Sequence, residues 1–304
     1  PEFFAGGKVS LDVAAAQSAF KTQIGEPMGL KDFWPAAGVT EIVEENMANA
    51  ARVHAIERGK DITQCVMIAF GGGAPLHACR LAEKIGVDKI IVPLGAGVGS
   101  AIGFLQAPVA YEITKSAVVT LDTFDAQKVN KLLHEMTLSA NAVVQPAMAT
   151  GKPSIKIKAD CRYIGQGHEI QIDIPTRVLR DQDGKTLKAA FEKAYKSVYG
   201  LIIPNQQVEA ITWSVTSSSP QPRMATAQKT SKHTTPKPLR ARRLFDAASG
   251  ELVNAPVYWR FDMKPGARIK GPAIIAEYET STILGSRFKA EINALGHIAM
   301  EKNK

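Results

Sequence analysis

Apolar positions recur at helical spacing over residues 10–25, where Leu11, Ala15, Ala19 and Phe20 share a face and Ser10 or Asp12 can cap the start. A second helical pattern covers 40–57, with Ile42, Met47, Ala50 and His54 on one side, Thr40 with Val43 and Glu44 near a capping arrangement, and Gly59 as the stop. Continuous apolar runs at 66–70 and 89–92 predict two buried strands. A helix is expected over 76–85 and a short one over 100–106. Helices alternating with buried strands predict strands covered by helices. After Val109 the pattern changes. A strand is expected at 118–121, a long helix over 125–150, and period-two strands at 154–161, 169–174 and 208–214. A helix over 186–199 closes on Gly200. From Ala255 onward short strands recur between turns at Lys264–Gly266, Gly271-Pro272 and Gly285, predicting a β-rich tail as a small barrel or sandwich. The best division falls near 111–116, giving domains of 1–115 and 116–304.

The totals suit this reading. A chain of 304 residues with 45% hydrophobic and 22% charged residues has room for about two domains. No apolar run is long enough to span a bilayer, and the start, Pro1-Glu2-Phe3-Phe4, carries no signal-peptide pattern. Three scattered cysteines, Cys65, Cys79 and Cys161, form no CxxC pair and fit a reducing, cytoplasmic setting, with Cys65 and Cys79 expected in the core. The net charge of +8 is concentrated between Gln221 and Arg243, where Arg223, Lys229, Lys232, Lys237, Arg240, Arg242 and Arg243 meet no acid. That stretch lacks the aromatic residues of a single-strand binder. It is expected to be a solvated loop or a contact for an acidic partner subunit, and neither nucleic acid nor membrane is an expected partner.

The chemistry-bearing signal is Phe70-Gly71-Gly72-Gly73-Ala74-Pro75-Leu76-His77, set between a strand pattern and a helix pattern. Three glycines at such a turn let a ligand approach backbone N–H groups, and a helix start offers orphan donors with partial positive charge. Phosphate or adenosine suits such a place; a tight turn with no ligand is the alternative. His77 is placed either to touch ribose or phosphate or to cap its helix locally. Asn46 either reaches the nucleotide or packs within its helix. His168-Glu169 reads as a strand-edge turn, and Asp181-Gln182-Asp183-Gly184 as a hairpin-type turn without the glutamate of a calcium loop. The six histidines show no metal-ligand spacing, and no Gly-x-Ser-x-Gly elbow is present.

The block from Glu44 to Ala107 resembles the last third of an actin-like or sugar-kinase-like ATPase domain. Gly71-Gly72-Gly73-Ala74 stands at the adenosine turn and Gly97-Val98-Gly99-Ser100-Ala101-Ile102-Gly103 at the closing small-residue helix. Asn46-Met47, Glu57-Arg58-Gly59, Pro75-Leu76-His77-Ala78, Leu81-Ala82-Glu83 and Val92-Pro93 narrow the resemblance to the A-subunit family of ATP-dependent hydantoinases and 5-oxoprolinases, which includes acetone and acetophenone carboxylase subunits. Arg162-Tyr163-Ile164-Gly165-Gln166, Phe191 to Gly200, and Gly271-Pro272-Ala273-Ile274-Ile275 with Ser281-Thr282 extend it over the second half. This chain has Gly73 then Ala74 where the family more often has alanine then glycine. The phrases at 67–70 and 103–112 lean toward the acetone-carboxylase branch.

The resemblance implies an α/β and α+β protein, with a partial actin-like ATPase (ribonuclease H-like) lobe followed by a mixed, β-rich C-terminal domain. It implies ATP with Mg²⁺, and phosphoryl transfer that activates the carbonyl or enolate oxygen of a lactam, hydantoin or ketone. Nucleotide-binding residues would be Gly71, Gly72, Gly73, Ala74, Pro75, His77 and Asn46, with no catalytic or metal-binding residue in this chain. The family's Asp-Thr-Gly-Gly-Thr-like phosphate loop and upstream carboxylates are not found in the sequence. The chain is therefore expected to be the C-terminal portion of such a subunit, silent alone, with Mg²⁺ held mainly by the N-terminal half. Its expected partners are that half and a hydantoinase B-like subunit. A subunit-docking module without catalysis and a sugar-kinase-like phosphotransferase are the alternatives.

Overall fold

The computed structural model describes residues 4–148, 151–220 and 233–303. The chain forms two compact units, one of residues 1–105 and 224–304, the other of residues 106–223. The residues around the expected boundary, 111–116, lie in a strand of the second unit, and the strands of the tail belong to the first.

The first unit begins with helix α1 (Val13–Phe20), capped by the Asp12 carboxylate, which accepts from the Ala15 N–H at 2.9 Å. A π-helical turn, Lys21–Gly25, leads to the short α2 (Glu26–Met28) and then to α3 (Trp34–Glu57). The sequence placed the start of α3 at Thr40. Pro35, in the first turn, marks the real start because its missing N–H costs nothing there. Thr40 is therefore no cap, and its hydroxyl donates back to the Ala36 carbonyl at 3.0 Å. Next come β1 (Met67–Ile68), α4 (Ala74–Ile85), β2 (Lys89–Val92) and α5 (Gly99–Gln106). Pro75, Ala78, Cys79, Ala82 and Ile85 form the buried stripe of α4, and Gly86 ends it with a left-handed φ of 75°.

Seven strands of the tail complete this unit: β7 (Arg240–Asp246), β8 (Glu251–Trp259), β9 (Arg268–Lys270), β10 (Ala273–Ala276), β11 (Ser281–Leu284), β12 (Phe288–Ile292) and β13 (Ile298–Lys302). They divide between two sheets, ordered β1-β2-β13-β12-β9 and β11-β10-β8-β7. In the first, β1 and β2 are parallel and β13 joins β2 antiparallel, Met300 beside Ile90. In the second, β10 is flanked on both sides and reads Ala-Ile-Ile-Ala, every residue buried. Residues of α4, β2, β10, β12 and β13 make one core, with Phe288, Ile275 and Ile298 fully enclosed.

Three expectations fail here. The 66–70 run is a two-residue edge strand with Val66, Ile68 and Phe70 exposed, because β1 has a neighbour on one side only. Cys65 is exposed, whereas Cys79 and Cys161 are buried, and burial pushes both of those thiols up to about 12. Arg240, Arg242 and Arg243 lie on strand β7 instead of in a loop, paired antiparallel with β8; residues 221–232 of that basic stretch lie outside the described residues.

The second unit is an antiparallel sheet ordered β3-β6-β4-β5, formed by β3 (Ala110–Thr120), β4 (Ser154–Tyr163), β5 (Ile170–Ile174) and β6 (Val208–Ser218), with helices α6 (Ala126–Val144) and α7 (Asp183–Tyr199). The Asp125 carboxylate caps α6 through the Lys128 N–H at 3.0 Å. α6 ends at Val144, before the expected limit at 150, and a 3₁₀ turn containing Pro146 follows. Asp181–Gly184 is not a hairpin turn. Asp183 opens α7 and holds Arg177 through contacts of 2.7 and 2.8 Å, and that pairing keeps its carboxyl far below the usual range. Trp213, fully buried on β6, donates its indole N–H to the Ala117 carbonyl at 2.9 Å.

Candidate functional site

After β1 the chain still follows β2 for one residue, the Ala69 N–H donating to the Ile91 carbonyl at 2.9 Å. It then bends. Gly71 adopts a φ of +111°, where a side chain would be strained, and its N–H donates to the Ala96 carbonyl at 2.7 Å. The Gly72 carbonyl accepts from the Thr280 hydroxyl at 2.8 Å. Gly72 and Gly73 are exposed, and a Cβ built on Gly71 or Gly73 would meet nothing within 4 Å. Their N–H groups make no backbone hydrogen bond among the described residues. The bend therefore ends in free donors at the start of α4, a setting that suits an anion.

Two further turns hold it. In the second glycine-rich turn, a Cβ on Gly97 would lie 2.5 Å from Glu279 Cβ, and one on Gly99 would lie 3.1 Å from the Phe70 ring. The Glu277–Thr280 turn fills that space and closes on itself, its Glu277 N–H donating to the Thr280 carbonyl at 2.9 Å. A groove of about 790 Å³ runs past the bend, lined among others by Gly72, Leu76, Arg240, Arg242, Glu277 and Thr280. Lys8, Arg240 and Arg242 line this groove together with Glu277 and Glu279, so charges of both signs border the bend.

Leu76 also borders a second cavity, of about 380 Å³, between α3, α4 and the turn after β7, where Phe33, Glu44, His77, Arg80 and Phe245 meet. His77 Nδ1 lies 3.0 Å from Glu44 Oε1. Burial raises the Glu44 pKa and the contact with His77 only partly offsets it. Next to this pair, Arg80 bridges Glu41 and Glu83 at 2.8 and 2.9 Å, and Lys84 bridges Glu41 and Glu45 at 2.7 and 2.8 Å. This lattice fastens α4, and the bend in front of it, to α3.

The structure thus brings together Gly71, Gly72, Gly73 and Ala74 at the bend, with Pro75 buried in the first turn of α4. His77 is one turn further, in the neighbouring cavity, and pairs with Glu44 instead of capping its own helix. Asn46 is exposed and lies about 200° around α3 from Glu44, on the side away from α4. Sequence reasoning missed Thr280, which holds the Gly72 carbonyl, and Glu44, whose signal was an acid within a buried helical stripe beside Ala48. Among the described residues no group of three or more His, Cys, Asp or Glu side chains gathers as a metal site, and no helix is long and apolar enough to cross a membrane.

The chain mixes helices and sheets, with a glycine bend at a helix start. Family comparison assigns it. Residues 1–113 match the hydantoinase/oxoprolinase domain and residues 125–299 its C-terminal domain. The chain belongs to the hydantoinase/oxoprolinase family. It is 26% identical over 294 residues to the caprolactamase alpha subunit of Pseudomonas jessenii, covering 95% of this chain and 42% of that one. It is 26% identical over 328 residues to the acetone carboxylase beta subunit of Xanthobacter autotrophicus, covering 98% and 43%. A nucleotide-free acetone carboxylase structure shares the fold, with a TM-score of 0.84 at 23% identity over 99% of this chain and 44% of that one. The chain spans less than half the length of these relatives.

Proposed function

We propose that this chain supplies one wall of the ATP cleft of an ATP-dependent subunit acting on a cyclic amide or a ketone. The observation that carries the reading is the exposed Gly72–Gly73 backbone, free of side chains, with Gly72 lining a groove that two arginines also line. Adenosine or phosphate fits there: amide donors meet the anion, and Cβ-free backbone permits close approach. The relatives' names support the substrate classes, since one is a caprolactamase subunit and another an acetone carboxylase subunit. The match of 125–299 to the hydantoinase C-terminal domain disfavours a sugar kinase.

In this reading ATP supplies the phosphoryl group that activates a carbonyl or enolate oxygen. Such transfer depends on positioning and charge neutralisation. This chain's share is positioning: Gly72 and Gly73 hold the nucleotide, Thr280 fixes the bend, and the α3–α4 ion lattice keeps the helix start in place. The opposite wall, with Mg²⁺ and the catalytic carboxylates, belongs to an N-terminal half, and the assembled enzyme includes a hydantoinase B-like subunit. Calorimetric titration with ATP–Mg²⁺ tests this. The 304-residue chain is expected to bind weakly or not at all and to turn nothing over. The complete gene product is expected to bind ATP and to hydrolyse it when a lactam, hydantoin or ketone is added. Sub-micromolar affinity with turnover by the chain alone would refute the shared-cleft reading.

A further inference from the structure

Beneath the bend lies a polar cluster that the nucleotide reading leaves unused. Strands β8 and β10 run parallel with Ile275 beside Tyr258 and Ala276 beside Trp259, so one step further Glu277 comes level with Arg260. Side chains alternate across a sheet. Glu277 and Arg260 therefore share the face of Ile275 and Tyr258, and Thr282, the register partner of Ile275, points the same way. That face packs into the main core of the first unit. Arg260 is 3% exposed, Glu277 2% and Thr282 0%. Arg260 Nη1 donates to the Met263 carbonyl at 3.5 Å. Arg260 Nε and Nη2, both Glu277 carboxylate oxygens and the Thr282 hydroxyl have no hydrogen-bond partner among the described residues. Buried charges without partners are costly and mark places where a protein uses them.

We propose that Glu277 is a positioning residue of the glycine bend, whose carboxyl, level with Arg260 at the root of the Glu277–Thr280 turn, sets how strongly the groove attracts an anionic ligand. The inference rests on the reading of that groove as the nucleotide site. Three links connect the carboxyl to the bend. Glu277 lines the groove that Gly72 lines. Its turn supplies Thr280, which holds the Gly72 carbonyl at 2.8 Å. The same turn supplies Glu279, which fills the space beside Gly97. Lys8, Arg240 and Arg242 line the groove, Glu279 stands in the same turn, and His297, lowered mainly by burial, also feels the Arg260 charge. Burial pushes Glu277 up to about 7, with Arg260 opposing the rise and Glu279 adding to it. The neutral carboxyl leaves the Arg260 charge uncancelled beneath the bend, and the ionised form cancels it. Affinity for an anion therefore falls as pH rises through neutrality.

The test compares wild type with Glu277→Gln in the complete gene product, using Mg²⁺–ADP at about pH 6 and about pH 8. A unit charge about 10 Å from a phosphate at an effective dielectric of about 20 changes affinity by about tenfold. Between the two pH values wild type is expected to lose about that factor relative to E277Q, which lacks the titrating carboxyl. Comparing the two proteins removes the ligand's own ionisation. Binding with the same pH dependence in both proteins overturns this inference alone, whereas no binding by wild type at either pH overturns the nucleotide reading beneath it. NMR of carboxyl-labelled glutamate in the wild type needs neither ligand nor a folded variant. One carboxyl is expected to titrate near neutrality, and titration of every carboxyl in the ordinary acid range overturns the proposal.

Discussion

Gly97→Ala probes the joint between the two glycine turns most sharply. The added Cβ would lie 2.5 Å from Glu279 Cβ, 2.7 Å from its carbonyl oxygen and 2.9 Å from its carbonyl carbon. Two of these are backbone atoms, so no side-chain rotation relieves the clash. The Glu277–Thr280 turn must retreat by about 1 Å to restore ordinary contact, and such overpacking costs about 1–3 kcal/mol. The retreat carries Thr280 away from Gly72, and loss of that hydrogen bond adds about 1 kcal/mol. Urea unfolding followed by circular dichroism should give a loss of about 2–4 kcal/mol. Gly103→Ala is the control. Gly103 lies within α5 with nothing within 4 Å of the added carbon, so helix propensity predicts a gain of about 0.5–1 kcal/mol. If G97A matched wild-type stability, the reasoning that Glu279 braces the bend would be refuted.

Gly73→Ala meets open space at a non-positive φ; stability should stay within about 1 kcal/mol of wild type, while ATP affinity of the complete gene product, measured by calorimetry, should drop because the methyl occupies the ligand's approach. A thiol reagent should modify Cys65 in the native protein and reach the buried Cys79 and Cys161 only on unfolding; three fast thiols would contradict the packing. Hydrogen bonding from Arg80, then from Lys84, holds Glu41 down at about 2, below its ordinary 4.5. Its contribution is therefore complete above the ordinary value and lost as pH falls through the folded one. Urea midpoints should fall less for E41Q than for wild type across that acid window.

Much of the fold was legible because periodicity reports burial. Strand β2 and the buried stripe of α4 follow directly from their patterns. What the pattern could not show was pairing between distant segments. The 66–70 run reads as a buried strand, yet exposure depends on how many neighbours β1 has, which no local window contains. The arginines at 240–243 read as a loop because charge masked a strand that pairs with β8. At the site, the glycines announced the bend, since Cβ-free backbone is a local property. Its supports were hidden: Thr280 lies 208 residues from Gly72, and Glu44 lies 33 from His77. Asn46 shows the converse, a residue whose type suits a ligand and whose helical phase sets it on the exposed side of α3.

The most direct test of the central claim is an amide NMR titration of the complete gene product, glycine-labelled, with Mg²⁺–ATP. The account predicts that the Gly72 and Gly73 N–H resonances shift first and saturate with the calorimetric affinity, while Gly103 stays still. Saturating nucleotide that moves other glycines and leaves those two unchanged would contradict it.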